Sequence, residues 1–271
     1  MKSIEEQLFA IVRQTPDKVA LISGETEVTY TQLWNYCLRA AYKLQNTLHL
    51  QKGDRVILSA AGNIEFVYVY FGVHLAGGVC VPIDPDTNQT RFNHIEASTK
   101  PVCVMGTLHN VARETIGFSE VIDGLEKAKF MVPDMSEIAD ILFTTGTTGA
   151  PKGVALSYLN LAAAARNINE FIGNSADDVE LLALPVSHSF GLGRMRCALT
   201  KGATVVMLGT FANVKKFFNE MKRCNVTMFA MVPASWGFIK KMSGKYISKF
   251  ADQLKFIEIG SSFMATEEKE F

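Results

Sequence analysis

The chain has 271 residues, 48% of them hydrophobic, enough to enclose a sizeable core as one large or two smaller globular units. Its 27 lysines and arginines balance 27 aspartates and glutamates, so no global charge draws it to nucleic acid or anionic lipid. The five cysteines stand far apart with neither CxxC nor paired metal-ligand spacing, which predicts buried thiols in a reducing cytosol and a cytoplasmic protein.

MKSIEEQLFAIV sets Glu5 and Glu6 ahead of a short apolar stripe, lacks the apolar core and cleavage site of a signal peptide, and reads as a helix. Lys18 to Ile22 and Glu27 to Tyr30 read as short strands. Thr31 is the expected cap of a helix carrying Leu33, Cys37, Ala40, Ala41 and Leu44 at helical spacing. Lys52-Gly53-Asp54 then turns the chain into a strand from Arg55 to Ser59. The uncharged run FVYVYFGVHLAGGVCVPI, residues 66–83, has the length of a short membrane span. His74, the Gly77-Gly78 pair and Pro82 instead predict a buried helix capped by Asn63 and ending near Ala76, then a strand from Val79 to Val81. A helix from Thr90 to Ser98 and a strand from Pro101 to Met105 follow.

Residues 107–137 carry a charged stretch and Pro133-Asp134, where a boundary between two α/β units is expected. Next, Ile141, Leu142 and Phe143 form a compact apolar run. Gly146 and Gly149 open a turn holding Thr144, Thr145, Thr147, Thr148 and Lys152, and Ser157 caps a predicted helix from Tyr158 to Phe171. The expected order is strand, loop, helix. Such a loop can wrap anionic oxygens with backbone N–H groups, hydroxyls and one cation, while a Gly/Thr-rich surface turn is the plainer reading of its composition. Lys152 is followed by Gly153, so the GK[ST] ending of a Walker A loop is missing.

Strands are expected over Glu180 to Ala183, Thr204 to Leu208, Thr227 to Met231 and Phe256 to Ile259, with helices over Leu192 to Leu199 and Val214 to Cys224. The basic runs 215–223 and 240–249 interleave with Phe, Met and Ile, as solvated faces of amphipathic helices do. Strands that alternate with helices, several apolar without alternation, predict an α/β fold whose mostly parallel sheets are covered on both faces.

Two further stretches carry chemistry. In LLALPVSHSFGLG, 181–193, a strand delivers Pro185, Ser187 and His188 to its carboxyl end, where open α/β sheets place ligands. His49, His74, His94 and His109 have no such setting and read as surface or satisfied core residues. Ser187 and Ser189 lie outside any G-x-S-x-G. MVPASWGFI, 231–239, and FIEIGSSFM, 256–264, offer small and aromatic groups suited to core packing or to an apolar acid pocket, and packing is the safer role for Trp236.

FTTGTTGAPKG, 143–153, closely resembles the phosphate loop of the adenylate-forming superfamily, which includes acyl- and aryl-CoA ligases, luciferases and the adenylation domains of peptide synthetases. The resemblance extends from TPDKVAL at 15–21 to GSSFM at 260–264. It implies multilayer, mostly parallel sheets flanked by helices, forming the incomplete front portion of a large N-terminal domain. Its α/β subdomains, about 1–135 and 136–271, interlock in that family, so a cut in sequence need not match the cut in space. The family's downstream metal-binding acid, ribose-binding aspartate, hinge and C-terminal domain with its catalytic lysine have no counterpart, so slow or absent turnover is expected of these residues alone.

The same resemblance assigns Thr144, Thr145, Gly146, Thr147, Thr148, Gly149 and Lys152 to the phosphates of ATP, and Gly260, Ser261 and Ser262 to its adenine. It assigns His188, Phe190, Gly191, Trp236 and Met264 to the acid, with Lys152 and His188 as the catalytic pair. Phe263 stands where the family usually has proline. His188 is not expected to be a general base, because a carboxylic acid is already ionised near pH 7. ATP, Mg2+ and CoA are the implied cofactors and a small-molecule carboxylic acid the implied substrate; the parent enzyme would be an acid:CoA ligase. An enzyme loading a carrier protein, or a silent nucleotide-binding scaffold, stands beside that reading. Small and apolar residues around Val186, Phe190, Gly191, Trp236, Ser261 and Met264 favour an aliphatic or aromatic acid over a zwitterionic amino acid, with no acidic partner for an ammonium expected from these motifs. Neither a nucleic-acid partner nor a stable membrane span is expected.

Overall fold

The computed structural model describes residues 1–144 and 151–266. In chain order the elements are α1 (Ile4–Gln14), β1 (Val19–Ser23), β2 (Thr26–Thr29), α2 (Tyr30–Asn46), β3 (Arg55–Ser59), α3 (Ile64–Leu75) and β4 (Val79–Ile83). Then come α4 (Gln89–Thr99), β5 (Cys103–Met105), α5 (Phe118–Ile122), β6 (Ile138–Phe143), β7 (Gly153–Ser157), α6 (Tyr158–Ile172) and β8 (Val179–Leu182). The remainder is α7 (Ser189–Lys201), β9 (Thr204–Met207), α8 (Val214–Arg223), β10 (Met228–Met231), α9 (Pro233–Ser243), a 3-10 turn at Tyr246–Phe250 and β11 (Phe256–Ile259).

The strands form two sheets. One runs β5-β3-β4-β6-β7, parallel except for β7, which returns antiparallel to β6. The other runs β11-β10-β8-β9-β1-β2, parallel except for β2. Helices separate most parallel neighbours, giving the mostly parallel α/β architecture expected from the alternating elements. Sheet membership crosses residue 135: β1 and β2 pair among the late strands, whereas β6 and β7 complete the sheet of the early ones.

Two local features differ from the sequence reading. The cap of α2 is Thr29, not Thr31: Thr29 Oγ1 accepts from Gln32 N at 3.2 Å and Gln32 Oε1 accepts from Thr29 N at 2.8 Å. This reciprocal box needs an amide or acid three residues after the cap, a place where Thr31 has Trp34. The order after Phe143 is also strand, loop, strand, helix, because β7 precedes α6. β7 is an edge strand with Gly153 to Ala155 exposed, so it lacks the apolar run that announces a buried strand.

The uncharged helix α3 is buried from Phe66 to Leu75, packed on α2 so closely that a Cβ on Gly72 would lie 2.5 Å from that of Ala40. Among the described residues, no helix is long and apolar enough to cross a membrane. One polar cluster interrupts this core. His74 of α3 contacts Glu5 of α1 through Nδ1 at 2.8 Å and Asp140 of β6 through Nε2 at 3.0 Å. Asp140 also accepts from Arg196 Nη1 of α7 at 2.8 Å and from Tyr70 Oη at 3.0 Å. Four elements are thereby tied together by charge.

Candidate functional site

The carboxyl end of β6 leads into the threonine loop. Thr145, Gly146, Thr147, Thr148 and Gly149 lie outside the described residues; both feet of the loop lie within them. Thr144 N donates to Lys152 O at 3.0 Å, closing the base. Helix α4 braces each foot. The Arg91 guanidinium donates to the carbonyls of Phe143 and Thr144 at 3.4 and 3.3 Å, and His94 Nε2 meets Pro151 O at 2.8 Å. Lys152 is exposed at the entrance to β7.

The chain leaving β8 forms the opposite wall. His188 is the residue preceding α7 and its side chain is exposed. Gly191 sits in the first turn of that helix, where an added Cβ would come 2.4 Å from Pro185 O and 2.9 Å from Leu184 O. Glycine here lets the helix start against the backbone that carries His188; a larger residue forces one of them to move. His188, Ser187, Phe143, Arg91, Thr87 and Asp84 line one cavity of about 420 Å³. Among the described residues, Thr87 Oγ1 and Ser187 Oγ are buried without a hydrogen-bond partner, an unusual state that leaves two hydroxyls uncommitted beside this cavity.

A second cavity, about 450 Å³, lies between α6, the start of α7 and the end of β11. Its walls include Asn160, Phe190, Arg194, Glu258, Gly260 and Ser261. The Phe190 ring covers Gly260, where an added Cβ would be 3.4 Å from Phe190 Cζ. Ser261 adopts a left-handed backbone, φ 71°, and is exposed together with Ser262. Trp236 and Met264 line a third cavity, with Pro233 and Phe263. The predicted residues therefore gather in three groups: His188 with the root of the threonine loop, Phe190 with Gly260 and Ser261, and Trp236 with Met264.

Sequence reasoning missed four contributors. Arg91 and His94 carried no motif of their own; only the fold brings α4 to the loop. Arg194 and Glu258 were hidden for the same reason. Arg194 is almost fully buried, donating from Nε to Glu180 Oε1 at 2.9 Å, from Nη2 to Glu180 Oε2, and from Nη1 to Glu258 Oε2 at 3.2 Å. Burial pushes the Glu180 carboxyl above its usual range, against the pull of Arg194. Burial also opposes the charge of Arg194, yet its contacts with Glu180 and Glu258 hold its pKa above the ordinary value.

His74, Cys80 and Asp140 bring potential metal-ligand atoms within 4.8 Å of one another. Both His74 nitrogens and both Asp140 oxygens already have partners, and burial raises the Cys80 thiol to about 11. This closed cluster with a protonated thiol does not suit Mg2+, which prefers open oxygen ligands and retained water.

The carboxyl ends of parallel strands bring Phe143, at the root of the threonine loop, and His188 to one cleft, the place where α/β sheets hold ligands. Residues 8–268 match the family described as AMP-binding enzyme, and the chain belongs to that family. It is 26% identical to an oxalate–CoA ligase of Arabidopsis thaliana, over 94% of this chain and 55% of that protein. It is likewise 26% identical to bacitracin synthase 3 of Bacillus licheniformis, over 86% of this chain but 4% of that protein. The chain thus spans about half or much less of these relatives. Its fold is similar to the Klebsiella oxytoca NpsA N-terminal subdomain in complex with 3-hydroxyanthranilyl-AMSN, with TM-score 0.88 and 20% identity over 100% of this chain and 69% of that one.

Proposed function

We propose that the protein containing this chain activates a carboxylic acid with ATP, forming an acyl-adenylate and releasing pyrophosphate. The observation that carries this reading is convergence: Phe143 and Arg91 at the root of the threonine loop share a cavity with His188 from the opposite sheet. In this reading the threonines and glycines from Thr144 to Gly149, with Lys152, hold the phosphates. Gly260, Ser261 and Ser262 pass the adenine, and His188 and Phe190 border the acid. The acid's carboxylate oxygen attacks the α-phosphorus and pyrophosphate departs, so no proton need be removed from the acid first. Mg2+ would offset phosphate charge, held by the phosphates together with one or two carboxylates, such as Asp84 or Asp86 in the cavity wall.

The activated acyl group then passes to a thiol. Likeness to oxalate–CoA ligase supports CoA as acceptor. Likeness to bacitracin synthase 3, in which the matching unit is a small part of a long chain, supports a thiol carried on an attached or partner protein. The second alternative gains weight because such a unit needs only the adenylating half-reaction in common with the first. The free cysteines fit a cytoplasmic setting for either.

Acid-dependent exchange of pyrophosphate into ATP by the whole protein tests the first half-reaction, and acyl transfer to CoA or a carrier tests the second. Exchange with at least one acid is expected; none across a broad panel would leave the silent-scaffold reading. Lys152→Ala should weaken ATP use, removing contacts worth about 1.5–3 kcal/mol. Unchanged exchange at subsaturating ATP would take Lys152 off the site.

A further inference from the structure

We propose that the acid enters the second cavity, lined by Phe190 and Glu258, that the acid is amino-substituted, and that Glu258 on β11 is the residue that reads the amine. This inference rests on the acid-adenylating reading and deepens it. The apolar pocket expected from the motifs overlooked the glutamate inside FIEIGSSFM. β11 pairs in parallel with β10, setting Phe256 beside Met228 and Glu258 beside Ala230, while Met228 pairs with Glu180 of β8. The period of two along a strand therefore turns Glu258 to the same face as Phe256, Met228 and Glu180. Arg194 lies over that face, touching Glu180, Glu258, the Met228 sulfur and the Phe256 ring.

The charges on this face do not cancel. Both Glu180 oxygens accept N–H groups from Arg194, a bidentate pairing that takes up two of the guanidinium's donors. One guanidinium then faces two carboxylates. Arg196, also on the cavity wall, is engaged by Asp140 and supplies no spare cation. Of the two acids Glu258 is the accessible one: its side chain is 34% exposed, whereas those of Arg194 and Glu180 are 2% and 0% exposed. Ser189 lines the same cavity. A purely aliphatic or aryl group would cover this carboxylate with only a shared guanidinium to offset its desolvation, while an ammonium would give it a partner of its own.

Binding of acyl-adenylate analogues to the whole protein decides the matter. The probes are matched pairs of one carbon skeleton, bearing an amine in one member and a methyl group in the other. The amine member should bind roughly tenfold to a hundredfold tighter, as a charge-assisted hydrogen bond implies. Glu258→Gln should bring the two affinities together, and thermal unfolding of that variant checks that it folds. Equal affinities in the unaltered protein would overturn the assignment without any variant. A preference for the amine that survives Glu258→Gln would overturn the role of Glu258. Failure of every analogue to bind would overturn the adenylating reading itself, and this inference with it.

Discussion

Arg194 and Arg196 stand two residues apart on α7, both buried, and face opposite circumstances. Arg196 turns toward the sheet of β6, where Asp140, Tyr70, His74 and Glu5 close a cluster in the core. Arg194 turns toward the sheet of β8, β10 and β11, where its second carboxylate, Glu258, opens onto a cavity. A buried ion pair is weak evidence for stability, since desolvation offsets much of its attraction. The difference between the clusters is more informative. In the first cluster Asp140 is saturated by Tyr70, His74 and Arg196, whereas in the second an accessible carboxylate shares one guanidinium with a buried one and can take a further partner.

The largest expected effect comes from breaking the closed cluster. Asp140→Ala removes the acceptor shared by His74, Arg196 and Tyr70, leaving the buried Arg196 without its carboxylate and His74 with Glu5 alone. Removing one partner of a buried pair typically costs about 3–5 kcal/mol. Chemical denaturation should show a loss of that size. A loss below about 1 kcal/mol would mean that water reaches this cluster and that it is not closed in the sense argued here.

The next effect is a dependence on pH. Burial works against a charged His74, but its hydrogen bond to the Asp140 carboxylate favours the proton and its pKa stands above the ordinary value; Glu5 engages the other ring nitrogen. A raised folded pKa means that the folded state holds the proton more tightly than the unfolded state. The stability it contributes is full below the unfolded pKa of about 6.5 and is lost as pH rises through the folded value. Stability should therefore decline from near neutrality upward, before the thiols of the unfolded chain titrate near about 8.5. His74→Gln should flatten the first part of that decline. An identical pH profile in the variant would show that His74 is neutral in the fold.

The contrast also explains what could be read from residues alone. α3 was legible because it is apolar from Phe66 to Leu75 apart from His74, and β3 because a compact apolar run follows a clear turn. β7 was not, since an exposed edge strand needs no buried run. The division into two sheets was not legible in the strands themselves, because nothing local to Leu21 specifies Val205 as its neighbour. At the site, the threonine loop and His188 declared themselves through spacing along one stretch of chain. Glu258 did not: its partner Arg194 is 64 residues away, and its meaning depends on which strand face it shares with Glu180. Charge constellations assembled across a sheet are invisible until the pairing is known.

The smallest expected effect on stability is the most discriminating for the open cluster. Glu258→Gln keeps an acceptor oxygen for Arg194, and Arg194 keeps both oxygens of Glu180. The substitution also removes one of two carboxylates competing for a single cation. Because the Glu258 side chain is 34% exposed, water screens much of what its charge contributes. The change in unfolding free energy should stay within about 1 kcal/mol, far from the effect of Asp140→Ala. Urea denaturation of the two variants in parallel makes the comparison direct. A loss of several kcal/mol on Glu258→Gln would place this glutamate with Asp140, as a partner held for the fold. A loss within the expected range means that the carboxylate is not maintained by the requirements of folding, and its position in the cavity wall is then the remaining physical reason for its charge.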